Sequence, residues 1–234
     1  MNYNNAFGNN TAEVSGEVLT EFTFSHKIYG ESFYTVSLKV DRLSRNCDQV
    51  PLMISERLIE VSQSYVGRYF SVKGQFRSHN QAAPGGDQKS HLLLAFFVRE
   101  LEISDEPFDQ ERNQIYLDGY LCKKPVHRKT PLGREIADVL LAVNRAYGKA
   151  DYIPCICWGR NARYVSMQPI GSRVRFWGRM QSRNYRKITD DGQMEVKTAY
   201  EVSVSRYELV EESDALIGRV ADSGAPVWQR SQRA

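Results

Sequence analysis

Apolar and polar side chains alternate through the second half of the chain. Ile115, Leu117, Gly119 and Leu121 interleave with Tyr116, Asp118 and Tyr120. A period of two sends successive side chains to opposite faces, so this stretch reads as a half-buried strand. A polar loop, Lys123 to Pro131, precedes a second strand with Ala137, Val139, Leu141 and Val143 on one face. A third strand runs from about Tyr152 to Trp158, and 161–168 suits a short helix before Pro169 and Gly171. A fourth strand turns Val174, Phe176 and Met180 to one side. The Asp191-Gly192 pair then signals a hairpin, and a fifth strand carries Tyr200, Val202 and Val204.

The same pattern occurs twice. A shift of 103 residues superposes Gly16 on Gly119, Gly30 on Gly133, Val36 on Val139, Leu38 on Leu141 and Arg42 on Arg145. A shift of 104 carries Gly67 to Gly171, Gly74 to Gly178 and Ser78 to Ser182. Internal repeats of this length mark two copies of one unit. The order β-β-β-α-β-β in each copy predicts an all-β chain of two tandem five-stranded OB-fold barrels, each with a short helix between strands 3 and 4. The expected boundaries are a disordered tip over 1–10, barrels over 11–106 and 111–210, a linker over 107–110, and a flexible tail over 211–234. The loop from His79 to Asp87 in the first copy is polar and Gly-rich.

On the third strand of the second copy, Ile153, Cys155 and Cys157 share the side that suits a barrel interior. Tyr152 and Trp158 share the other side. On the fourth strand Arg173, Arg175, Trp177, Arg179 and Gln181 face outward. Aromatic and basic residues together on an exposed face need a cover. Single-stranded nucleic acid is one, since aromatic rings stack bases and guanidinium groups hold phosphates. A subunit interface is the alternative cover.

Charge supports a polyanion partner, although a solvated basic face would look the same. The net charge is +3, but residues 107–210 carry 18 Lys/Arg against 11 Asp/Glu, while 1–106 carry 10 against 13. The four cysteines fit a reducing compartment without disulfides, and Cys155 and Cys157 read as buried apolar residues. His26, His79, His91 and His127 lack metal-ligand spacing, so neither a metal nor a cofactor is expected. No paired acid and base, P-loop or catalytic triad stands out, which points to binding rather than catalysis. No run reaches the roughly 18 apolar residues of a membrane span. The opening stretch lacks the basic and apolar regions of a signal peptide, so a cytoplasmic, nucleoid-associated location is expected.

The second copy resembles the OB domain of bacterial single-stranded DNA-binding proteins. The matching segments are 117–121, 141–147, 155–162 and 178–185. The resemblance places the family's four base-stacking positions on Tyr147, Tyr152, Trp158 and Tyr185. Beside them, Arg145, Arg160, Arg173, Arg175, Arg179, Arg183, Arg186 and Lys187 are the candidates for holding phosphates. In the first copy the stacking positions become Ser44, Gln49, Ser55 and Gln81, so that copy is expected to be structural or oligomerising. Its aromatics, among them Phe22, Phe24, Tyr69, Phe70, Phe96 and Phe97, are expected to serve core or interface. The tail departs from the acidic, Pro-Phe-tipped end of such proteins and finishes in Arg233-Ala234, with Trp228 a possible anchor. Because the family often assembles four OB domains, two per chain imply a homodimer. The expected function is sequence-independent binding and protection of single-stranded DNA in replication, recombination or repair. The competing readings are an OB-fold scaffold of a primosome or conjugation complex, with a protein on the basic face, and an RNA-binding protein.

Overall fold

The computed structural model describes residues 8–42, 46–81, 91–110, 112–188 and 193–211. The expected N-terminal tip, most of the His79–Asp87 loop, the Asp191-Gly192 turn and the tail with Trp228 lie outside them, wholly or nearly so. The first repeat forms β1 (Asn10–Val18), β2 (Thr23–Ile28), β3 (Glu31–Asp41), β4 (Cys47–Ser55), β5 (Tyr69–Gln81) and β6 (His91–Ser104). The second forms β7 (Asn113–Leu121), β8 (Val126–Lys129), β9 (Glu135–Asn144), β10 (Ala150–Trp158), α1 (Gly159–Ser166), β11 (Arg173–Ile188) and β12 (Met194–Leu209).

Five strands close each barrel. In the first, β1 pairs with β3 and β5, β3 with β4, β4 runs parallel to β6, and β6 pairs with β5. In the second, β7 pairs with β9 and β11, β9 with β10, β10 runs parallel to β12, and β12 pairs with β11. The period-two alternation fills both interiors. Leu38, Val50, Leu52, Phe70, Phe76 and Phe96 are fully buried in one, and Leu117, Leu141, Ile153, Cys157, Phe176 and Met180 in the other. Two of the repeated glycine pairs, Gly16 with Gly119 and Gly74 with Gly178, sit where backbones approach closely, while Gly30, Gly133, Gly67 and Gly171 adopt positive φ. A Cβ on Gly16 would lie 2.2 Å from the Lys39 carbonyl oxygen, and one on Gly119 would lie 2.5 Å from that of Ala142.

Two expectations are corrected. Among the described residues an α-helix follows the third barrel strand only in the second copy. Residues 56–68 of the first copy are turns, with Ile59 and Tyr65 buried beneath them. Local bonds explain the difference. Ser55 Oγ accepts from Arg57 N at 3.1 Å, and Glu60 accepts from Ser62 N at 3.1 Å. Such side-chain acceptors offer the backbone an alternative to helical pairing. The Lys123–Pro131 loop likewise contains a short strand, β8, paired with β9; β2 on β3 is its counterpart.

The barrels share one twelve-stranded sheet because β1 also pairs antiparallel with β7. The ladder runs from Asn10 opposite Leu117 to Val14 opposite Asn113, with Ala12 opposite Ile115 at its centre. Ala12 and Ile115 are equivalent in the repeat, so the chain carries an internal pseudo-twofold axis between them. The contact has the self-complementary form of a twofold dimer interface, and it covers strand edges that would otherwise be open to pairing.

Two equivalent clasps flank the axis. Arg42 and the fully buried Asp48 form a two-pronged ion pair. Asp48 also accepts from Ser182 N at 2.6 Å, and Arg42 donates to Ser182 O at 2.9 Å. Across the axis, Arg145 and Asp151 form the same pair. Asp151 accepts from Ser78 N at 2.6 Å, and Arg145 donates to Ser78 O at 2.7 Å. Each clasp therefore ties one barrel's carboxylate to the other barrel's long hairpin. Burial would raise the Asp48 pKa, but the hydrogen bonds from Arg42 and Ser182 outweigh it and hold the carboxyl below its ordinary value.

Breaking a buried pair leaves an uncompensated charge, which costs about 3–5 kcal/mol. Asp48→Ala or Asp151→Ala should lower unfolding free energy by about that much in chemical denaturation, whereas Asp138→Ala, at the exposed pair with Arg128, should cost at most about 1 kcal/mol. Because the folded carboxyl of Asp48 titrates below its unfolded value, its contribution is present above that unfolded value. It is lost as pH falls through the folded one, so acid denaturation of Asp48→Asn should show a shallower dependence on pH. At alkaline pH the thiols act in the opposite sense, their contribution being lost as pH rises. Burial pushes Cys157 up to about 12 and raises Cys155 as well. Their contribution is intact below the unfolded thiol pKa near 9 and is lost between there and the folded values. Alkylation of the native chain near neutral pH should mark exposed Cys47 first and spare Cys155 and Cys157.

Candidate nucleic-acid interface

The outward side of β10 begins at Tyr152, 48% exposed, and ends at Trp158. The inward side holds Ile153, Cys155 and Cys157, all at 3% exposure or less. Tyr152 lies beside a clasp, its amide donating to Ser78 Oγ of the first barrel at 3.1 Å. Trp158 lies at the far end of the strand, its indole N–H fixed on Ser203 Oγ at 3.0 Å. Ile156, between them on the outward side, is nevertheless buried. Tyr185 is 40% exposed on the β11–β12 hairpin. Tyr147 belongs to a 3-10 turn, Ala146–Gly148, between β9 and β10; its side chain is outside the described set, as is that of Lys187.

The eight candidate cations do not form one field. Arg145 is committed to the Asp151 clasp. Arg173 and Arg175 both engage Asp118, at 2.8 and 3.2 Å. Arg179 reaches Asp48 of the first barrel at 3.3 Å, and Arg183 stands 3.7 Å from Glu201. Arg160, at the start of α1, and Arg186, on the hairpin, are exposed. Distance separates them further. At about 3.3 Å per residue, Arg173 and Tyr185 lie up to about 40 Å apart along β11. Arg173 and Arg175 thus belong to the outer sheet over the pseudo-axis, and Arg183, Tyr185 and Arg186 to the projecting hairpin.

That outer sheet holds residues that sequence reasoning did not group. A groove of about 720 Å³ is lined by Tyr116, Trp158, Asn161, Trp177, Arg179 and Ser203, and reaches Thr11 and Glu13 on β1. The Tyr116 and Trp177 rings lie 5.0 Å apart, and the Arg206 guanidinium sits 4.5 Å from the Trp177 ring centre. A β-bulge creates this arrangement. Gly178 pairs with Val204 while Trp177 pairs with Arg206, leaving Ser205 unpaired. Tyr116 and Trp177 both had the outward parity of their strands, a signal that could have found them. Their proximity needs the β7–β11 pairing of Tyr116 with Trp177.

The first barrel lacks the four stacking residues on the equivalent face. Ser55 is buried there with its hydroxyl on Glu31; Ser44 and the Gln81 side chain lie outside the described set. A different array occupies the face. His26 stacks on Phe33 at 5.1 Å and on His79 at 5.2 Å, Phe33 meets Phe97, and the Arg77 guanidinium lies 4.0 Å from the Phe97 ring centre. Burial first, and the nearby His79 second, hold the His26 imidazole below its ordinary pKa. Phe70 and Phe96 are core, whereas Phe24 is exposed at 58%. Among the described residues no cluster of His, Cys, Asp and Glu could hold a metal ion, and no helix is long and apolar enough to cross a membrane.

Comparison with known proteins places this geometry. Residues 112–210, the second barrel, match the model of the single-strand binding protein family. The single-stranded DNA-binding protein A of Bacillus subtilis is 40% identical over 80 residues, covering 31% of this chain and 46% of that protein. The B protein of the same organism is 39% identical over 80 residues, covering 31% of this chain and 71% of that protein. The chain thus spans about half the length of the A protein. The wild-type single-stranded DNA binding protein of Thermus aquaticus superposes over 87% of this chain and 94% of its own, with a TM-score of 0.62 at 16% identity. That likeness concerns the fold and extends across both barrels. The matched second barrel and the coverage of the B protein establish that this chain belongs to the single-strand binding protein family.

Proposed function

We propose that the chain binds single-stranded DNA without regard to sequence, acts by binding rather than catalysis, and protects exposed strands during replication, recombination or repair. The observation that carries this is the outward row on β10 and the hairpin. Tyr152 and Tyr185 are exposed, and Trp158 is held in orientation by Ser203, on a barrel whose interior needs none of them. Every base offers a π-face, so such rings bind any sequence, at about 1–3 kcal/mol per base. Arg160 and Arg186 supply phosphate contacts along this row, with Arg183 partly held by Glu201. Arg173, Arg175 and Arg179 are partly neutralised by Asp118 and Asp48 and contribute less, and the role of Arg145 is to hold the clasp. Tyr147 and Lys187 keep the roles that the family resemblance gives them, stacking and phosphate binding.

The two barrels divide the work. Residues 113–209 supply the stacking platform, and residues 10–104 support it through the shared sheet. Two chains associate as a homodimer, presenting four barrels. The outer sheet around the Tyr116–Trp177 pair supports this reading, because it lies at the internal twofold axis and leaves half-buried aromatic rings among ion pairs.

Trp158→Ala should weaken binding of oligo-dT by about 1–3 kcal/mol at fixed salt, with an unchanged thermal melt; an unaltered affinity would remove Trp158 from the platform. Titrating the wild-type chain with oligo-dT should quench tryptophan emission, and most of that quench should vanish in Trp158→Phe. A protein-binding scaffold would show no quench. Competition between dT and rU oligomers of equal length should favour dT, and a preference for rU would point to recognition of the 2′-hydroxyl. Trp177→Glu should shift the sedimenting species from two chains toward one.

A further inference from the structure

Four rings form one pile across the first barrel's outer face. Phe97 of β6 meets Phe33 of β3 with ring centres 5.6 Å apart. His26 of β2 stacks on Phe33 at 5.1 Å, and His79 of the β5–β6 hairpin stacks on His26 at 5.2 Å, with interplanar angles of 13° and 14°. The pile rises from a buried base to an exposed end. Phe33 packs with Met53 and Ala95 in a small apolar cluster, and Phe97 lies against it. His26 is half-buried and His79 is exposed. Covering that cluster accounts for Phe33 and Phe97. It does not account for the imidazoles, because an aliphatic side chain would close the cluster without desolvating a polar ring, and His26 is desolvated there.

The second barrel shows that the fold requires none of these rings. By the strand registers, Arg128, Ile136, Arg183 and Ser203 stand in the places of His26, Phe33, His79 and Phe97. The exchange is reciprocal, since Tyr152, Trp158 and Tyr185 correspond to Gln49, Ser55 and Gln81. Each barrel thus carries aromatic rings on the same face, at different places. The charge of the face changes with them. Glu201, which engages Arg183 and Gln181 in the second barrel, is replaced by Ala95. Gln181 is replaced by Arg77, whose guanidinium lies 4.0 Å from the Phe97 ring centre. A carboxylate is lost beside the pile and a guanidinium gained, a change that favours a polyanion.

We propose that this pile is a second base-stacking site, in which a nucleobase of a single strand lies on the exposed ring of His79. The inference rests on the single-stranded DNA reading above and extends it to the first barrel, through rings that lie outside the four positions of the second barrel's platform. Histidine is among the side chains on which unpaired bases stack. A ring already held by the ring beneath it loses little freedom when a base lands on it. The location makes the two platforms continuous. The hairpin that bears His79 is clasped beside Tyr152, whose amide donates to the hydroxyl of Ser78, one residue from His79, at 3.1 Å. A strand leaving Tyr152 crosses that hairpin to reach His79.

The test uses the full chain, as wild type, His79→Ala and His79→Phe, with oligo-dT of about 8 nucleotides to occupy one barrel and about 30 to span both. His79→Ala should lower affinity for the long strand by at least about fivefold, the loss of one base–ring stack. It should match wild type on the short strand, which the second barrel's platform holds. His79→Phe should restore the long-strand affinity, and the thermal melt should be the same in all three. A second readout is direct. Ultraviolet cross-linking of the wild-type chain to a long strand carrying 5-iododeoxyuridine should label the tryptic peptide 78–89, whose one aromatic ring is His79, and His79→Ala should abolish that adduct. An unchanged long-strand affinity in His79→Ala, an equal loss at both lengths, or adducts confined to the second barrel would overturn the His79 site. Failure of the wild-type chain to bind either strand would instead overturn the DNA reading itself.

Discussion

The pairing of β1 with β7 is the constraint on which everything else in this chain rests. It joins two closed barrels into one sheet and fixes a pseudo-twofold axis between Ala12 and Ile115. Its backbone bonds set the register, and the two Asp–Arg–Ser clasps lock it from either side. A buried ion pair of this kind is a weak source of net stability, because removing both charges from water costs much of what their attraction returns. Its effect here is positional. Asp48 and Asp151 each accept from the amide of a hairpin belonging to the other barrel. The long hairpins therefore cannot shift relative to the strands they cross without stranding a charge.

Positioning by clasp explains how two barrels with different surfaces form one continuous body. The β11–β12 hairpin bearing Tyr185 is anchored at Ser182 to the first barrel's β4. The β5–β6 hairpin is anchored at Ser78 beside Tyr152. Each barrel thereby places a segment of itself at the edge of the other's exposed face. The two β-bulges add a local bend at equivalent places and insert one extra residue in each. That residue is a serine hydrogen-bonded to the Trp177 carbonyl in one barrel and an arginine that reaches Gln75 Oε1 in the other. The same backbone device thus serves two chemistries through one side chain.

Charge is distributed less simply than the basic second half suggests. Five of the eight cations counted toward a polyanion face there are engaged by carboxylates: Arg145 by Asp151, Arg173 and Arg175 by Asp118, Arg179 by Asp48, and Arg183 by Glu201. Meanwhile the net-acidic first half places Arg77 over the ring of Phe97. A running sum of charge cannot register this, because what matters to a phosphate is how each guanidinium group is already engaged. Much of that is set by neighbours distant in sequence, as with Asp48 and Arg179.

The sequence alone determined the barrel interiors, the repeat and the outward parity of Tyr152 and Trp158. Each of these is a local consequence of alternation, in which the pleat assigns a side chain to a face whatever the strand later pairs with. The missing helix over 56–68 was beyond it, since the repeat argued for a helix while serine and glutamate bonds within the segment favoured turns. Only the tertiary structure decided the pairing of Tyr116 with Trp177, the commitment of Arg145 to a clasp, and the stacking of His26 on His79. Those residues are separated by tens of positions and meet through strand register and the twofold axis. Alternation says which way a side chain points, and long-range pairing determines what it meets there.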